Sequence, residues 1–327
     1  MRLILLIAVL PGCSFVLIDE PCRIQSADTS VPVDTGRPLD TGEPSDTGDT
    51  GDTGDTGDTG EVDFIPALVS AGGLHSCVLS LSGSIQCWGR SEEGQSSPPN
   101  VGEFVDLSSG YAHSCALDTE GEVSCWGLNN FGQTSAPDKR FTQLSSGGFH
   151  TCGLDADTET ISCWGRGIEG QLVVPSGSWR EVSAGWDHTC AVSTDGLVEC
   201  WGSEMSAEPM PGVQVSTVAS GQGFSCALDL EGTPLCWGLD TAGETLVPSG
   251  LFSEITAGLA HVCATDADGM AQCWGDNEEG QLDAPSGRLS VVNSSAASMH
   301  SCALGTGVVD ETVVVCWGLN SHGQASP

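Results

Sequence analysis

Short hydrophobic segments separated by turn-forming residues recur along the chain from about residue 66 to its end. Each unit opens with an apolar segment, continues through a Gly-x-x-His turn into a segment containing Cys-Ala-Leu, and closes with Val-x-Cys-Trp-Gly. The region shows no helical periodicity, and its apolar segments have the length of β-strands. The pattern therefore predicts three short strands per unit, the first of them at Phe104 to Ser108, Phe141 to Ser145, Trp179 to Ser183 and Phe252 to Thr256.

The unit returns seven times. Its first cysteines are spaced by 36 to 39 residues and are Cys77, Cys115, Cys152, Cys190, Cys226, Cys263 and Cys302. Self-similarity at this period is typical of arrays of supersecondary units. Three strands in each of seven units predict an all-β fold, a seven-bladed β-propeller with three-stranded antiparallel blades over residues 63–327. We expect it to be a monomer.

The second half of each unit has the spacing of a disulfide-linked hairpin. If Cys115 faces Cys125, Leu117 faces Val123 and the loop is Thr119 to Gly121, with glycine at the third place, where a positive φ is favoured. Cysteines that face each other at a non-hydrogen-bonded site are close enough to bond. The predicted disulfides are Cys77–Cys87, Cys115–Cys125, Cys152–Cys163, Cys190–Cys200, Cys226–Cys236, Cys263–Cys273 and Cys302–Cys316.

Zinc is the competing interpretation of the cysteines, with His75, Cys77 and Cys87 as one ligand set. Structural zinc sites usually show short Cys-x-x-Cys spacings, which this chain lacks. We therefore predict no metal site and no cofactor.

Strand parity places Trp126 and Ala116 on the blade face opposite the cysteines, so both faces of a blade are apolar. The seven equivalent tryptophans are predicted to lie in the core: Trp88, Trp126, Trp164, Trp201, Trp237, Trp274 and Trp317. A histidine recurs in six units, as expected for a structural hydrogen bond rather than a catalytic centre: His75, His113, His150, His188, His261 and His300. Phe224 takes its place in the fifth unit.

The chain is strongly acidic, with 44 acidic and 9 basic residues. From Glu61 onward there are 33 acidic and 6 basic residues, a net charge of −27. This balance repels phosphate backbones and excludes nucleic acid as a partner. The acidity can serve solubility or the recognition of a cationic partner. The 16 cysteines indicate an oxidising compartment.

Residues 1–13 are predicted to be an export signal, with Arg2 followed by an apolar run from Leu3 to Leu10. The segment ending at Cys13 resembles the lipobox of bacterial lipoproteins, which implies lipidation of Cys13 and an outer-membrane lipoprotein of the cell envelope. An ordinary cleaved signal and a secreted protein are the alternative. Cys22 would pair with Cys13 if no lipid is attached, or remain a free thiol. We expect membrane contact only through the lipid.

Residues 14–62 are rich in Asp, Thr, Gly, Pro and Ser and contain seven Asp-Thr-Gly triplets. A segment with so little to bury is predicted to be a disordered acidic linker. Loose calcium binding is an alternative, although no loop is present that would wrap carboxylates around one ion.

The elements Gly110 to Leu117 and Trp126 to Gln133 resemble the repeats of the regulator of chromosome condensation family. The short period is more similar to that of the bacterial β-lactamase inhibitor protein of type two, which implies three-stranded blades. The nucleotide-exchange activity of the eukaryotic members uses basic contacts, so it is not expected of this acidic chain. The fourth unit departs from the pattern by lacking Gly-Gln after Trp201.

The two residues inside each Gly-x-x-His turn vary while their neighbours stay constant. They would surround one mouth of the propeller with Leu74, Tyr111, Phe149, Trp186, Leu259 and Met299. These side chains either form an exposed binding rim or tuck between blades. The resemblance to the inhibitor implies that aromatic residues on these loops grip the target.

These observations predict a non-enzymatic binding scaffold for a protein or cell-surface ligand, with an inhibitor of a secreted or periplasmic hydrolase as the alternative. A propeller enzyme is the less favoured reading, because no catalytic set breaks the repeat. His322 is the only histidine outside the repeated position.

Overall fold

A computed structural model describes residues 64–100, 102–203, 212–306 and 311–327. These residues form 21 strands in seven antiparallel sheets of three strands each, which confirms the predicted propeller. The described ranges hold no helix with the length and hydropathy needed to cross a bilayer. The predicted signal, the linker, Cys13 and Cys22 all lie outside the described residues.

Each sheet is one blade, with an inner, a middle and an outer strand in chain order. The inner strands are β1 (Pro66–Ala71), β4 (Phe104–Ser109), β7 (Phe141–Ser146), β10 (Trp179–Ala184), β13 (Val215–Ser220), β16 (Glu254–Ala257) and β19 (Leu289–Asn293). The middle strands are β2 (His75–Ser80), β5 (His113–Asp118), β8 (His150–Asp155), β11 (His188–Ser193), β14 (Phe224–Asp229), β17 (His261–Thr265) and β20 (His300–Thr306). The outer strands are β3 (Ile85–Gly89), β6 (Val123–Gly127), β9 (Ile161–Gly165), β12 (Val198–Gly202), β15 (Pro234–Gly238), β18 (Ala271–Gly275) and β21 (Thr312–Gly318).

The middle and outer strands of every blade are joined by a disulfide. In blade 2, Cys115 pairs directly with Cys125 and Leu117 with Val123, the predicted register. The two cysteine Cα atoms lie 4.1 Å apart. Gly121 closes the hairpin with a φ of +83°. All seven predicted cysteine pairs are bonded in this way, including the longer hairpin between Cys302 and Cys316, so these cysteines are not zinc ligands.

The hydrophobic core lies between blades rather than within them. The cysteine-bearing face of blade 1, with Cys77 and Leu79, packs against Phe104, Ala116 and Trp126 of blade 2. There are seven such clusters, one at each interface. Trp126, Trp164, Trp274 and Trp317 are buried within them, whereas Trp88, Trp201 and Trp237 are half-buried and pack against them. Each blade needs a neighbouring blade on both sides, because a single three-stranded sheet cannot bury its two apolar faces alone.

The array closes into a ring through the contact between blades 7 and 1. Strand β19 contacts β1, and Cys302 and Leu304 pack against Val69 and Ala71. The indole Nε1 of Trp88 donates a hydrogen bond to the carbonyl of Gln324 at 2.8 Å. The segment that follows β21 is therefore part of the interface between blades 7 and 1.

Side chains of one blade satisfy the open edge of the next inner strand. Ser70 Oγ accepts a hydrogen bond from the backbone N–H of Ser109 at 2.9 Å, and Asn293 Oδ1 accepts one from Ala71 at 3.0 Å. The same position supplies the acceptor at six of the seven interfaces, the exception being Ala219, which has no side-chain oxygen. This arrangement answers the need of an edge strand for partners.

The repeated histidines form a second set of bonds between blades. His113 Nε2 lies 2.9 Å from Thr151 Oγ1 of the next blade, and each of the six histidines makes an equivalent contact to Ser or Thr. Where Phe224 replaces the histidine, the hydroxyl position of the next blade is Val262, and both side chains lie fully buried in one cluster. The two members of the pair are polar together or apolar together, which supports the structural role predicted for the histidines.

This pairing predicts a compensating double substitution. Thr151→Val alone leaves the buried His113 Nε2 without its partner, and we expect it to lower the free energy of unfolding by about 1–3 kcal/mol. Adding His113→Phe reproduces the Phe224–Val262 pair and should restore most of the loss. A double-mutant cycle measured by urea unfolding gives the coupling energy. Strictly additive effects would contradict the paired role.

The histidines also predict how stability depends on pH. Burial lowers the pKa of the six histidines from 6.5 to about 3 or 4 in the folded chain. The unfolded chain therefore binds more protons below pH 6.5, and stability present above that pH is lost as the pH falls toward 4. The slope is about 1.4 kcal/mol per pH unit for each histidine that titrates. Two carboxyls of the inner strands, Asp106 in β4 and Glu181 in β10, have a pKa that burial raises, and they oppose this trend.

Unfolding in urea at pH 7.5, 6 and 5 measures the slope. The His113→Phe, Thr151→Val double variant is the control. Because it has one buried histidine fewer, its stability should fall less steeply with falling pH, by the contribution of one histidine. Equal stability at pH 7.5 and pH 5 would contradict the assignment.

Candidate functional site

The six predicted binding residues all lie at one end of the ring, which we call the turn face. It carries the seven turns between inner and middle strands, together with the beginnings of the outer-to-inner connections. The two sets of loops are joined by backbone hydrogen bonds, as from Arg90 N–H to the carbonyl of Leu74 at 2.9 Å. The six side chains are half-buried, so each keeps part of its surface in solvent: Leu74, Tyr111, Phe149, Trp186, Leu259 and Met299.

Three of these residues meet on the turn face although they come from three successive blades. The ring centroids of Tyr111, Phe149 and Trp186 lie 5.4–5.5 Å from one another in tilted or edge-to-face geometry. Phe131, 48% exposed, adds a fourth ring at 5.7 Å from Phe149. We call these four residues the aromatic cluster. Edge-to-face pairs at this distance are favourable beyond their buried area.

Phe131 is the member that sequence reasoning missed. It lies on the connection between blades 2 and 3, two residues before Gln133, where the matching connections carry Glu93, Glu169 and Glu279. The same position holds Ala242 and His322 in the segments after blades 5 and 7. Phenylalanine occurs at it only in this connection, which is a signal that the sequence contains. Only the fold shows that this connection reaches the turns.

Glycines in the preceding blades make room for the aromatic rings. A Cβ atom on Gly73 would lie 2.7 Å from Tyr111 Cδ2, and one on Gly148 would lie 3.1 Å from Trp186 Cδ2. The turns are also bonded to one another, with Gly73 N–H donating to the carbonyl of Gly110 at 3.0 Å and Trp186 N–H to that of Gly221 at 3.1 Å. The rings are thus held against a fixed backbone.

Two arginines flank the aromatic cluster, and both are already paired with carboxylates. Arg166 Nη1 lies 2.5 Å from Asp187 Oδ1, and its Nη2 lies 3.4 Å from Glu169 Oε1. Partial burial raises the pKa of Asp187, and the charge of Arg166 acts in the opposite direction. Arg90 pairs with Glu92 in the connection after blade 1.

The central channel has a volume of about 260 Å³ and is lined mainly by polar residues of the inner strands. Its carboxylates accept hydrogen bonds from the next blade and are not bonded to each other; Glu181 Oε1, for example, accepts from Thr217 Oγ1 at 2.6 Å. Asp106 Oδ2 accepts from Leu144 N–H at 3.1 Å, and Glu181 Oε1 accepts from Val218 N–H at 3.1 Å. These contacts resemble the hydrogen bonds that the serine side chains accept from the edge of the next inner strand. The two carboxylates therefore have a structural role in joining neighbouring blades.

The described residues offer no set of three or more side chains that could hold a metal ion. His322, the histidine outside the repeat, is exposed, and its backbone N–H donates to Gln324 Oε1 at 2.8 Å. The geometry that stands out from the repeat is therefore the aromatic cluster, whose exposed surface suits binding.

Comparison with known proteins agrees with this architecture. The model of the regulator of chromosome condensation (RCC1) repeat matches residues 67–95, 104–133, 179–204 and 252–281. These segments fall in blades 1, 2, 4 and 6. Among curated proteins, none matches the chain.

Several solved propellers are similar to the chain. The CRINKLY WD40 ectodomain of the Arabidopsis thaliana receptor kinase ACR4 has a TM-score of 0.67 and 25% identity, over 80% of this chain and 98% of that one. The ectodomain of the Physcomitrella patens receptor kinase CR4 has a TM-score of 0.64 and 22% identity, over 77% and 72%. Prp20p of Saccharomyces cerevisiae has a TM-score of 0.58 and 18% identity, over 65% and 72%.

At these identities the solved structures show the fold alone. The chain is thus a seven-bladed propeller that contains regulator of chromosome condensation (RCC1) repeats in four places, in blades 1, 2, 4 and 6.

Proposed function

We propose that this chain is an exported, non-enzymatic binding scaffold whose turn face holds a protein partner. The observation that carries the proposal is the aromatic cluster, in which three successive blades place rings in contact on a rigid rim. Tyrosine and tryptophan at the centre of a preorganised surface are typical of interface hot spots. Yeast RCC1 (Prp20), which has the same fold, has been crystallised bound to the protein Kap60.

Export is supported by the disulfides and by the beginning of the chain. Seven disulfides join the strands, and such bonds persist in oxidising compartments. The segment before Cys13 has the charge and apolar run of an export signal. The proposed protein is attached to the outer membrane by a lipid on Cys13, with residues 14–62 as a spacer between the lipid and the propeller.

Lipid attachment predicts a labelling result. The full chain produced in a bacterial host should incorporate radioactive palmitate and fractionate with membranes, whereas the Cys13→Ser variant should lose the label and become soluble. Cys22→Ser is the matched control and should keep the label. Equal fractionation of the unsubstituted chain and the Cys13→Ser variant would contradict the anchor.

The aromatic cluster predicts which surface captures a partner. The full chain carrying Cys13→Ser, immobilised and exposed to envelope extract, should retain a specific protein. The Tyr111→Ala, Phe149→Ala, Trp186→Ala triple variant should bind it at least about 100-fold more weakly, because each hot-spot residue contributes about 2 kcal/mol or more. Surface plasmon resonance with the identified protein measures the change.

The opposite end of the ring supplies the control. Leu81, Leu230 and Leu251 are 63–71% exposed, and replacing all three with Ala should leave binding unchanged. Retention of the same proteins by the aromatic triple variant would contradict the proposed surface. Stoichiometric inhibition across a panel of purified hydrolases would define the scaffold as an inhibitor, and turnover of a substrate would contradict the non-enzymatic assignment.

A further inference from the structure

The turn of blade 5 leaves a gap in the turn face. Its two variable residues are Gln222 and Gly223, where other turns carry a large apolar side chain. Gly223 has a φ of +74°, and a Cβ atom there would lie 2.6 Å from Leu239 Cδ1. The backbone conformation therefore disfavours a larger residue, and a side chain at this position would also have to displace Leu239. The gap belongs to the local structure of this blade.

The gap is a cleft of about 350 Å³ between Trp186 of blade 4 and Leu259 of blade 6. Leu239 and Ala260 contribute further apolar lining. The rest of the lining is mainly polar and includes the carboxylates of Asp187 and Glu244. This volume is at the lower end of the range of small-ligand pockets. It suits one large apolar side chain of a partner better than a flat contact.

The walls of the cleft are formed in advance. The ring centroid of Trp186 lies 5.5 Å from those of Tyr111 and Phe149 in edge-to-face geometry, so its ring is part of the aromatic cluster. Leu259 is fixed by its backbone N–H, which donates to the carbonyl of Ser298 at 2.7 Å. Rigid walls reduce the entropy lost on binding.

The charge around the cleft is negative. Asp187 is the only acidic residue among the seven variable turn pairs, and its carboxylate shares Arg166 with Glu169. Asp240, which is exposed, lies between the lining residues Leu239 and Thr241. Glu244 also lines the cleft, so four carboxylates accompany one guanidinium. A cationic group of a partner would find uncompensated negative charge here.

We propose that this cleft receives an apolar side chain from a basic segment of the partner protein, with lysine or arginine on either side of that side chain. The proposal rests on the proposed function and specifies its partner: an apolar anchor enters between Trp186 and Leu259, and the flanking cations face Asp187 and Asp240. The acidity of the domain, with a net charge of −27 from Glu61 onward, extends the same complementarity over a longer range.

Short peptides test the cleft without knowledge of the natural partner. The probes are acetyl-Lys-Leu-Lys-amide, acetyl-Lys-Gly-Lys-amide and acetyl-Glu-Leu-Glu-amide. The full chain with Cys13→Ser is labelled with ¹⁵N-tryptophan, and the indole signal of Trp186 is assigned among the nine tryptophans with Trp186→Phe. Titration to 10 mM at low salt should shift this signal saturably with the first peptide, and the other two should bind at least about 10-fold more weakly.

Three variants locate the effect. Asp187→Asn should weaken binding of the first peptide by about 3-fold or more, since a charge at the cleft edge is removed. Ala260→Phe fills the cleft and should abolish the shift. Leu81→Ala, at a residue 71% exposed at the opposite end of the ring, is outside the turn face and should bind as the unsubstituted chain does. If Ala260→Phe fails to fold, the comparison of the three peptides on the unsubstituted chain still decides.

The proposal is wrong if no peptide shifts the Trp186 signal, if all three shift it equally, or if N-acetylglucosamine shifts it and the peptides do not. The last result would make the cleft a sugar site. None of these results changes the outcome of the capture experiment with the aromatic triple variant. The cleft proposal and the proposed protein-binding function can therefore fail independently of each other.

Discussion

The structure depends on one packing arrangement, the contact between the cysteine-bearing face of each blade and the tryptophan-bearing face of the next. Cys77 and Leu79 on one side meet Ala116 and Trp126 on the other, and the same contact recurs at all seven interfaces. An isolated blade would leave both apolar faces in water, and an open array would leave two. Only a closed ring buries every face, which gives the last blade its contact with the first.

Polar groups at the interfaces follow the same direction around the ring. Each blade offers a histidine to a hydroxyl of the next blade and an oxygen to the edge of the next inner strand, as His113 does toward Thr151 and Ser108 toward Ser146. Between blades 5 and 6 both contacts are lost together, at Phe224 and at Ala219. A buried polar group without its partner is costly, so the interface changes character as a whole rather than by one residue.

A rigid ring leaves the residues of the turns free to differ. The turns hold their backbone through bonds such as Leu259 N–H to the carbonyl of Ser298, and their side chains contribute little to the blade interfaces. On this frame the chain places two contrasting features side by side, rings that project from blades 2 to 4 and a cleft at blade 5. Trp186 belongs to both, which makes it the side chain on which the proposed recognition converges.

Local spacing within each unit was enough to predict the blades. The register of Cys115 with Cys125, the loop closed by Gly121 and the opposite facing of Trp126 all follow from strand parity over about a dozen residues. Small departures also have local causes. Strand β16 begins at Glu254 rather than at the expected Phe252, and β19 contains an irregularity at Val291, whose φ is +51°.

The sequence by itself thus determined the number of blades, their strands, their disulfides and the variable turns that carry the six predicted binding residues. Only the tertiary structure decided which of those positions meet: Tyr111, Phe149 and Trp186 come into contact, with Phe131 added from a connection, while Leu259 faces Trp186 across a cleft. The physical reason is that contacts between blades depend on the angle at which each blade packs on its neighbour. That angle is set by the closure of all seven interfaces, and no local pattern of residues contains it.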